Sequence, residues 1–438
     1  MIRGGAIVCA ALVVSATGQA ADYYVSTSGS DSSSGTQSSP FKTIAHADSV
    51  AKPGDTIHVA PGVYPPVITS QSGTSSAHIR FVSDSKYGAK VAANSSTNTI
   101  WYSKGAYVDI IGFEVDGTSL TSTTMGIYLT GSYSSAQGNH VHDVQNSGAC
   151  ASQGAAGIEA EGYYYATNID VIGNLVHDVG PKGCSYDHGI YVIAPYSRIE
   201  NNVVYNNSCA GIHAWHDDSH ETIANNTVLW NACAGVVIGG GDYYHSSGPS
   251  DYNVVANNIF YGNYAAFNES GQVGTHNLYT NNLVYDNQYL WSADLTGTQV
   301  DLISADPLFV NVSNDDFHLQ SSSPAIGAAN STYSWPTDFD GVARPQAGAY
   351  DVGAYEYTGS GGQAPTATLS ASGKYVVTLK WGSTNADTCT GTNFNTNGLA
   401  SGSAAVVPTV TTTYTVTCSR QGQSATASTT VRRKNSGV

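Results

Sequence analysis

Apolar and variable positions alternate in a short unit that returns five times between residues 126 and 238. The copies are Gly126-Ile127-Tyr128-Leu129-Thr130, Gly157-Ile158-Glu159-Ala160-Glu161, Gly189-Ile190-Tyr191-Val192-Ile193, Gly211-Ile212-His213-Ala214-Trp215 and Gly235-Val236-Val237-Ile238-Gly239. The second and fourth positions are apolar in every copy, and such period-2 alternation predicts a strand. One strand type repeated along a chain predicts a stack. Its constant columns build a core, and its varied columns, which hold Tyr, Glu, His, Trp and Thr, point outward. Function is sought in those varied columns.

A second repeat marks the same coils. Gly-Asn or Asn-Asn precedes alternating apolar residues at 138–139, 173–174, 201–202, 225–226, 257–258 and 281–282. Asn suits tight left-handed turns, and stacked copies can bond to one another in a ladder. The repeat glycines at 126, 157, 189, 211 and 235 give steps of 31, 32, 22 and 24 residues. The short steps are the basic coil, and the long ones imply extra loops of roughly eight to ten residues before the second and third copies. Coils of three short strands with polar turns predict an all-β, right-handed parallel β-helix. Strand runs continue upstream in His78–Ser83 and Tyr107–Val115, and Ile44–Lys52 is the candidate capping helix for the open end. Residues 359–363 read as a Gly/Ser linker, and 364–438 as a small β-sandwich with Thr/Val alternation.

Composition narrows the setting. Of 438 residues only 11% are charged, with 47 Gly and 29 Tyr, and the net charge is −16. No Lys/Arg cluster exists to neutralise phosphates, so nucleic acid is excluded as a partner. An anionic substrate would need local positive charge or a metal. Residues 1–21 read as a secretory signal: Arg3, an apolar run from Ala6 to Ala16, then Gly18-Gln19-Ala20-Ala21. No run is long enough to span a membrane, and an exported monomer is expected. Six cysteines follow the signal, an even number that favours disulfides. Stacked copies would hold Cys209 and Cys233 about 4.8 Å apart, within disulfide reach. Cys150–Cys184 and Cys389–Cys418 are the other expected pairs. No Cys-x-x-Cys spacing supports zinc.

Other segments resemble known sequences. Tyr23-Tyr24-Val25-Ser26, Ser39-Pro40-Phe41-Lys42-Thr43-Ile44, Pro53-Gly54-Asp55-Thr56-Ile57 and Pro61-Gly62-Val63-Tyr64 resemble the start of secreted pectate-lyase-like β-helix proteins. Asp306-Pro307-Leu308-Phe309, Ser323-Pro324-Ala325-Ile326, Asp340-Gly341-Val342-Ala343-Arg344-Pro345 and Asp351-Val352-Gly353-Ala354-Tyr355-Glu356 resemble their C-terminal end. The resemblance covers about residues 22–357 and implies a β-helix catalytic domain over 22–358. The superfamily holds polysaccharide lyases, glycoside hydrolases, epimerases and tailspikes. The C-terminal region resembles a bacterial immunoglobulin-like module. Family-9 pectate lyases, which share the N-terminal motif, use a calcium site of aspartates and a catalytic lysine. Here Asp217 and Asp218 are the only fragment of such a site, which makes calcium the one candidate cofactor, and the five strands carry no lysine.

Stacking the copies places Tyr128, Glu159, Tyr191, His213 and Val237 in one outward column. Thr130, Glu161, Ile193, Trp215 and Gly239 form the next. Cleavage of a uronic acid polymer by β-elimination needs a base, a donor or cation for the carboxylate, and an acid for the leaving oxygen. Tyr191 and His213 are the candidate acid–base pair, with His188 in support. Tyr128, Glu159, Glu161, Lys182, Arg198, Trp215 and His216 are candidate polysaccharide contacts; Lys182 or Arg198 would meet the carboxylate and Trp215 would stack on a sugar ring. Two further readings compete. A hydrolase would use two carboxyl groups among Glu159, Glu161 and Asp187. A non-catalytic glycan-binding or adhesive β-helix needs none of these roles. Packing also has claims on these residues: outward Tyr and His can stack as a ladder, and strict alternation turns His188 inward beside Asp187. His142 and His177, in column with Tyr205, read as structural.

Overall fold

A computed structural model describes residues 20–432 apart from 95–97, 119–123, 146–148, 151–153, 161–164, 217, 242–247, 347, 359–364, 374–375, 385, 387 and 421–422. The expected signal peptide and the linker therefore lie almost wholly outside the described residues. From Asp22 to Ser304 the chain winds through three parallel sheets of eleven, nine and ten strands, taking one strand of each per coil. This is the predicted parallel β-helix. Ile127, Ile158, Ile190, Ile212 and Val236 stack in register and are fully buried, as are Leu129, Ala160, Val192, Ala214 and Ile238 beside them. The constant columns are thus the core.

The repeat glycines are fixed by space. A Cβ on Gly189 would meet Val204 Cγ1 at 2.6 Å and the Gly211 carbonyl at 2.7 Å. The same collision recurs one coil on, where Gly211 faces Val228 Cγ1 at 2.4 Å. At the Asn corner the two residues divide the work. The first residue takes left-handed φ, as in Asn201, Asn225, Asn257 and Asn281. The second donates its amide to the next coil: Asn139 to Asn174, Asn174 to Asn202, Asn202 to Asn226, Asn226 to Asn258 and Asn258 to Asn282, at 2.9–3.0 Å. The ladder is fully buried, so each amide that found no rung would remain desolvated without a partner.

The helix Ile44–Val50 lies at the N-terminal end of the stack, two residues shorter than expected. Thr43 caps it by accepting from His46 N–H at 3.1 Å. At the other end the segment from Phe309 to Tyr355 folds back over the ten-stranded sheet. There Phe309, Phe317, Val352 and Tyr355 cover Val203, Leu229, Ile259 and Leu283. Arg344, wholly buried, ties this cover down through Glu356 at 2.8 Å and the Gly353 carbonyl at 2.8 Å. Beyond it, two three-stranded antiparallel sheets between Thr368 and Val431 make a small β-sandwich. All three disulfides form as paired from the sequence, with Cα separations of 5.3, 4.4 and 3.9 Å. Cys389–Cys418 joins neighbouring strands of one sheet.

Candidate active site

The nine-stranded sheet carries the five-copy motif in its middle. Its outward column runs Tyr102, Tyr128, Glu159, Tyr191, His213, Val237 and Asn268 in unbroken register. A groove of about 800 Å³ opens on it, lined in part by Tyr128, Glu159, His188, Tyr191, His213 and Trp215. The column thus assembles as the repeat predicts. It also extends past the fifth copy, because Asn268 and Ser270 continue the wall from the next coil. That coil escaped the motif because Ala266 replaces the leading glycine.

His188 does not turn inward. Each repeat glycine and the Ile or Val after it both face the core, so the alternation slips by one residue at the glycine. The residue before the glycine therefore shares a face with the third position of the motif. The His188 ring lies 5.6 Å from that of Tyr191 and 4.2 Å from that of His213. In the other coils this position is Met125, Ala156, Ala210 or Ala234, of which Met125 and Ala156 line the groove. The long loop adds Ser185 and Tyr186, residues with no periodic signal to mark them.

The hydrogen bonds assign the protons. The Ala210 N–H donates to His188 Nδ1 at 3.3 Å, which leaves the proton of a neutral His188 on Nε2. That Nε2–H donates to His213 Nδ1 at 2.9 Å, so neutral His213 carries its own proton on Nε2. Burial holds His188 neutral, its pKa depressed to about 3. Burial, then the neighbouring His188 and His216, hold His213 well below the usual imidazole range. The result is a neutral imidazole fixed as a hydrogen-bond donor, an arrangement that can polarise an oxygen without carrying charge. The Tyr191 ring stands 5.2 Å from that of His213, and that of Trp215 stands 5.4 Å from it. The Trp215 indole rests on Gly239 and Gly271, where a Cβ would meet it at 2.4 and 3.2 Å. His216 is buried, with its ring 6.4 Å from that of Tyr191.

Several expected residues lie elsewhere. Lys182 is exposed on the loop and is not among the lining residues. Arg198 belongs to the eleven-stranded sheet, where it pairs with Asp170; neighbours along the chain on a β-helix occupy different faces. Ile193 is fully buried instead of facing outward. Asp187 packs against Gly180, away from the lining, with its carboxyl raised to about 6 by burial. Glu161 and Asp217 lie outside the described residues. Asp218 is buried and accepts from Ser250 Oγ at 2.7 Å and Asn253 Nδ2 at 3.1 Å. Beside it Glu221, which the sequence did not signal, is pushed well above the carboxylate range by burial and then by the charge of Asp218. Among the described residues these two carboxylates supply fewer oxygens than the six to eight a calcium ion takes.

A family model described as "Protein of unknown function (DUF1565)" matches residues 27–73, the N-terminal cap and first coil. An uncharacterized protein of Bacillus subtilis (strain 168), YwoF, is 30% identical over 137 residues, 28% of this chain and 29% of that protein. The chain therefore matches less than a third of that relative's length. Among solved structures, pectate lyase Pel9A is similar over 77% of this chain and 96% of its own, with 18% identity and a TM-score of 0.52. The fold is the pectate-lyase β-helix. The alginate lyase of Paenibacillus sp. str. FPU-7 is similar over 65% of this chain and 95% of its own, at 19% identity and a TM-score of 0.48.

Proposed function

We propose that the chain is a secreted polysaccharide lyase that cleaves a uronic-acid-containing polymer by β-elimination in the nine-stranded groove. The observation that carries this reading is the relay from Ala210 N–H through His188 to His213 beside Tyr191. A fixed neutral donor meets the need of an enolate: His213 Nε2–H steadies the uronate carboxylate as charge moves onto it. Tyr191 handles the proton transfer, with Glu159 in register one coil away. Trp215 offers its face to a sugar ring. No Lys or Arg is among the described lining residues, so neutral donors, with Asn268 among them, replace a cation. Glu159 is the one carboxylate among those residues, where inverting or retaining hydrolysis requires two.

The test is a panel of alginate, polygalacturonate and rhamnogalacturonan incubated with the full chain. Ultraviolet absorbance from unsaturated uronates, lost in Tyr191→Phe, supports the lyase. New reducing ends without that absorbance would assign a hydrolase instead, and turnover untouched by Tyr191→Phe and His213→Ala would remove the site.

A further inference from the structure

A second groove, of about 730 Å³, lies on the eleven-stranded sheet, away from the first. Two columns build it. One is the left-handed corner that leads into this sheet, one residue per coil. Tyr107, Tyr133, Asn168 and Tyr196 occupy it along the groove with φ of 57, 60, 57 and 63°, and His220 and Tyr252 continue it beyond the groove with φ of 58 and 61°. His78 also lines the groove, edge-on to Tyr107, and the other rings of the column lie face to face: 5.0 Å apart for Tyr107 and Tyr133, 4.7 Å for Tyr196 and His220, and, beyond the groove, 4.4 Å for Tyr252 and His276. The other column is polar and in register: Arg80, Asp109, Ser135, Asp170 and Arg198.

The backbone does not ask for aromatics at this corner. Left-handed φ costs a residue such as Tyr roughly 1–2 kcal/mol and costs Asn or Gly less. At the Asn corner of the same coils, the same geometry is filled by Asn201, Asn225, Asn257, Gly138 and Gly173. Burial does not explain the tyrosines either, since Tyr133, Tyr196 and Tyr252 are 46%, 52% and 50% exposed. Asn168 parts the row between Tyr133 and Tyr196, so each of these rings turns toward that gap a face with no described ring stacked on it, and such a gap beside a row of donors and acceptors matches one chemistry. The apolar face of a pyranose stacks on the rings, and its hydroxyls reach the polar row. We propose that this groove is a second glycan-binding site that holds a linear polysaccharide along the helix axis.

The charges indicate how it selects. Arg80 lies 3.7 Å from Asp109, His78 bonds Asp109 at 3.1 Å, and Arg198 Nε bonds Asp170 at 3.0 Å. Each cation is already paired, so recognition runs through ring faces and hydroxyls, and carboxylates on the polymer are not required. Binding here should therefore resist added salt. The inference shares only the polysaccharide class with the proposed function, and its readout is retention, so absence of cleavage leaves it standing.

The experiment is affinity electrophoresis of the full chain through native gels containing alginate, polygalacturonate or xylan. His213→Ala serves as the background that disables the first groove. Retardation by at least one polymer is expected, at low and raised salt alike. The double variant Tyr133→Asn/Tyr196→Asn should weaken it at least tenfold. Asn suits the left-handed corner, so that variant should melt no lower than its parent, which separates lost binding from lost fold. Retardation unchanged in the double variant, or absent with all three polymers, overturns the site.

Discussion

Two faces of the same coils carry histidines in outward columns, and their surroundings differ. On the ten-stranded sheet His142, His177 and Tyr205 stack in register, and each imidazole has an acid. His142 bonds Asp143 at 2.7 Å and Glu114 at 3.2 Å, and His177 bonds Asp178 at 2.6 Å. Lys90, between Glu114 and Asp116, takes the place a bound cation would hold. Farther along, His318 is clamped between Asp316 and Asp340. On the nine-stranded sheet His188 and His213 bond to each other and face an 800 Å³ groove. An imidazole held by carboxylates has its ring nitrogens engaged within the fold. An imidazole held by a second neutral imidazole keeps a directed donor available to whatever enters.

The sharpest way to break this contrast is to alter the groove residues themselves. Tyr191→Phe and His213→Ala should each lower turnover by about 10²- to 10⁴-fold, with little loss of stability. A fall in melting temperature comparable to that of a fastened histidine would erase the distinction. Next in size is His318→Gln. Burial alone would lower the His318 pKa, but hydrogen bonds to Asp316 and Asp340 outweigh it and raise the value to about 9. A raised histidine stabilises fully below its unfolded pKa near 6.5 and stops stabilising as pH rises through 9. The native chain should therefore lose on the order of 3 kcal/mol between those values through this group. His318→Gln should show that loss already at pH 6 and a flatter pH dependence, measured by chemical denaturation.

The repeat made the coil, the core columns and the Asn ladder legible, because each is a local pattern copied at fixed spacing. It also placed Tyr128, Glu159, Tyr191 and His213 in one column, since register follows from the copies. Three things lay beyond it. The slip at the glycine reversed the side of His188, and strict alternation cannot show a slip that depends on Val204 packing against Gly189 across the core. Arg198 is six residues from the motif strand yet on another face, because a coil turns a corner in that interval. The fold-back of residues 309–355 over the ten-stranded sheet depends on contacts more than a hundred residues apart, such as Arg344 with Asn201.

A smaller effect tests the fastened side. His177→Gln removes a bond to Asp178 and the 2.8 Å contact of its Nε2 with His140 Nε2. A loss of about 1–3 kcal/mol is expected, with turnover unchanged. If turnover fell as far as in His213→Ala, the ten-stranded column would share in the chemistry and the contrast would fail.

The smallest effect comes from Asp187, which lies between the two behaviours. It is an acid beside a histidine in sequence, yet it fastens nothing. Its carboxylate oxygens are buried without a hydrogen-bond partner in the described structure, although the Ala155 N–H lies near enough to offset part of the burial. Burial raises its pKa to about 6. A raised carboxyl favours the folded state below its unfolded value near 3.8, and that advantage disappears as pH rises through 6. At pH 7.5 the chain thus carries a buried charge that the fold does not reward. Asp187→Asn should raise the melting temperature at pH 7.5 and change it little at pH 4.5. A loss of stability at pH 7.5 would mean that the carboxylate is held by a partner, and that the acid-backed arrangement extends to the groove sheet after all.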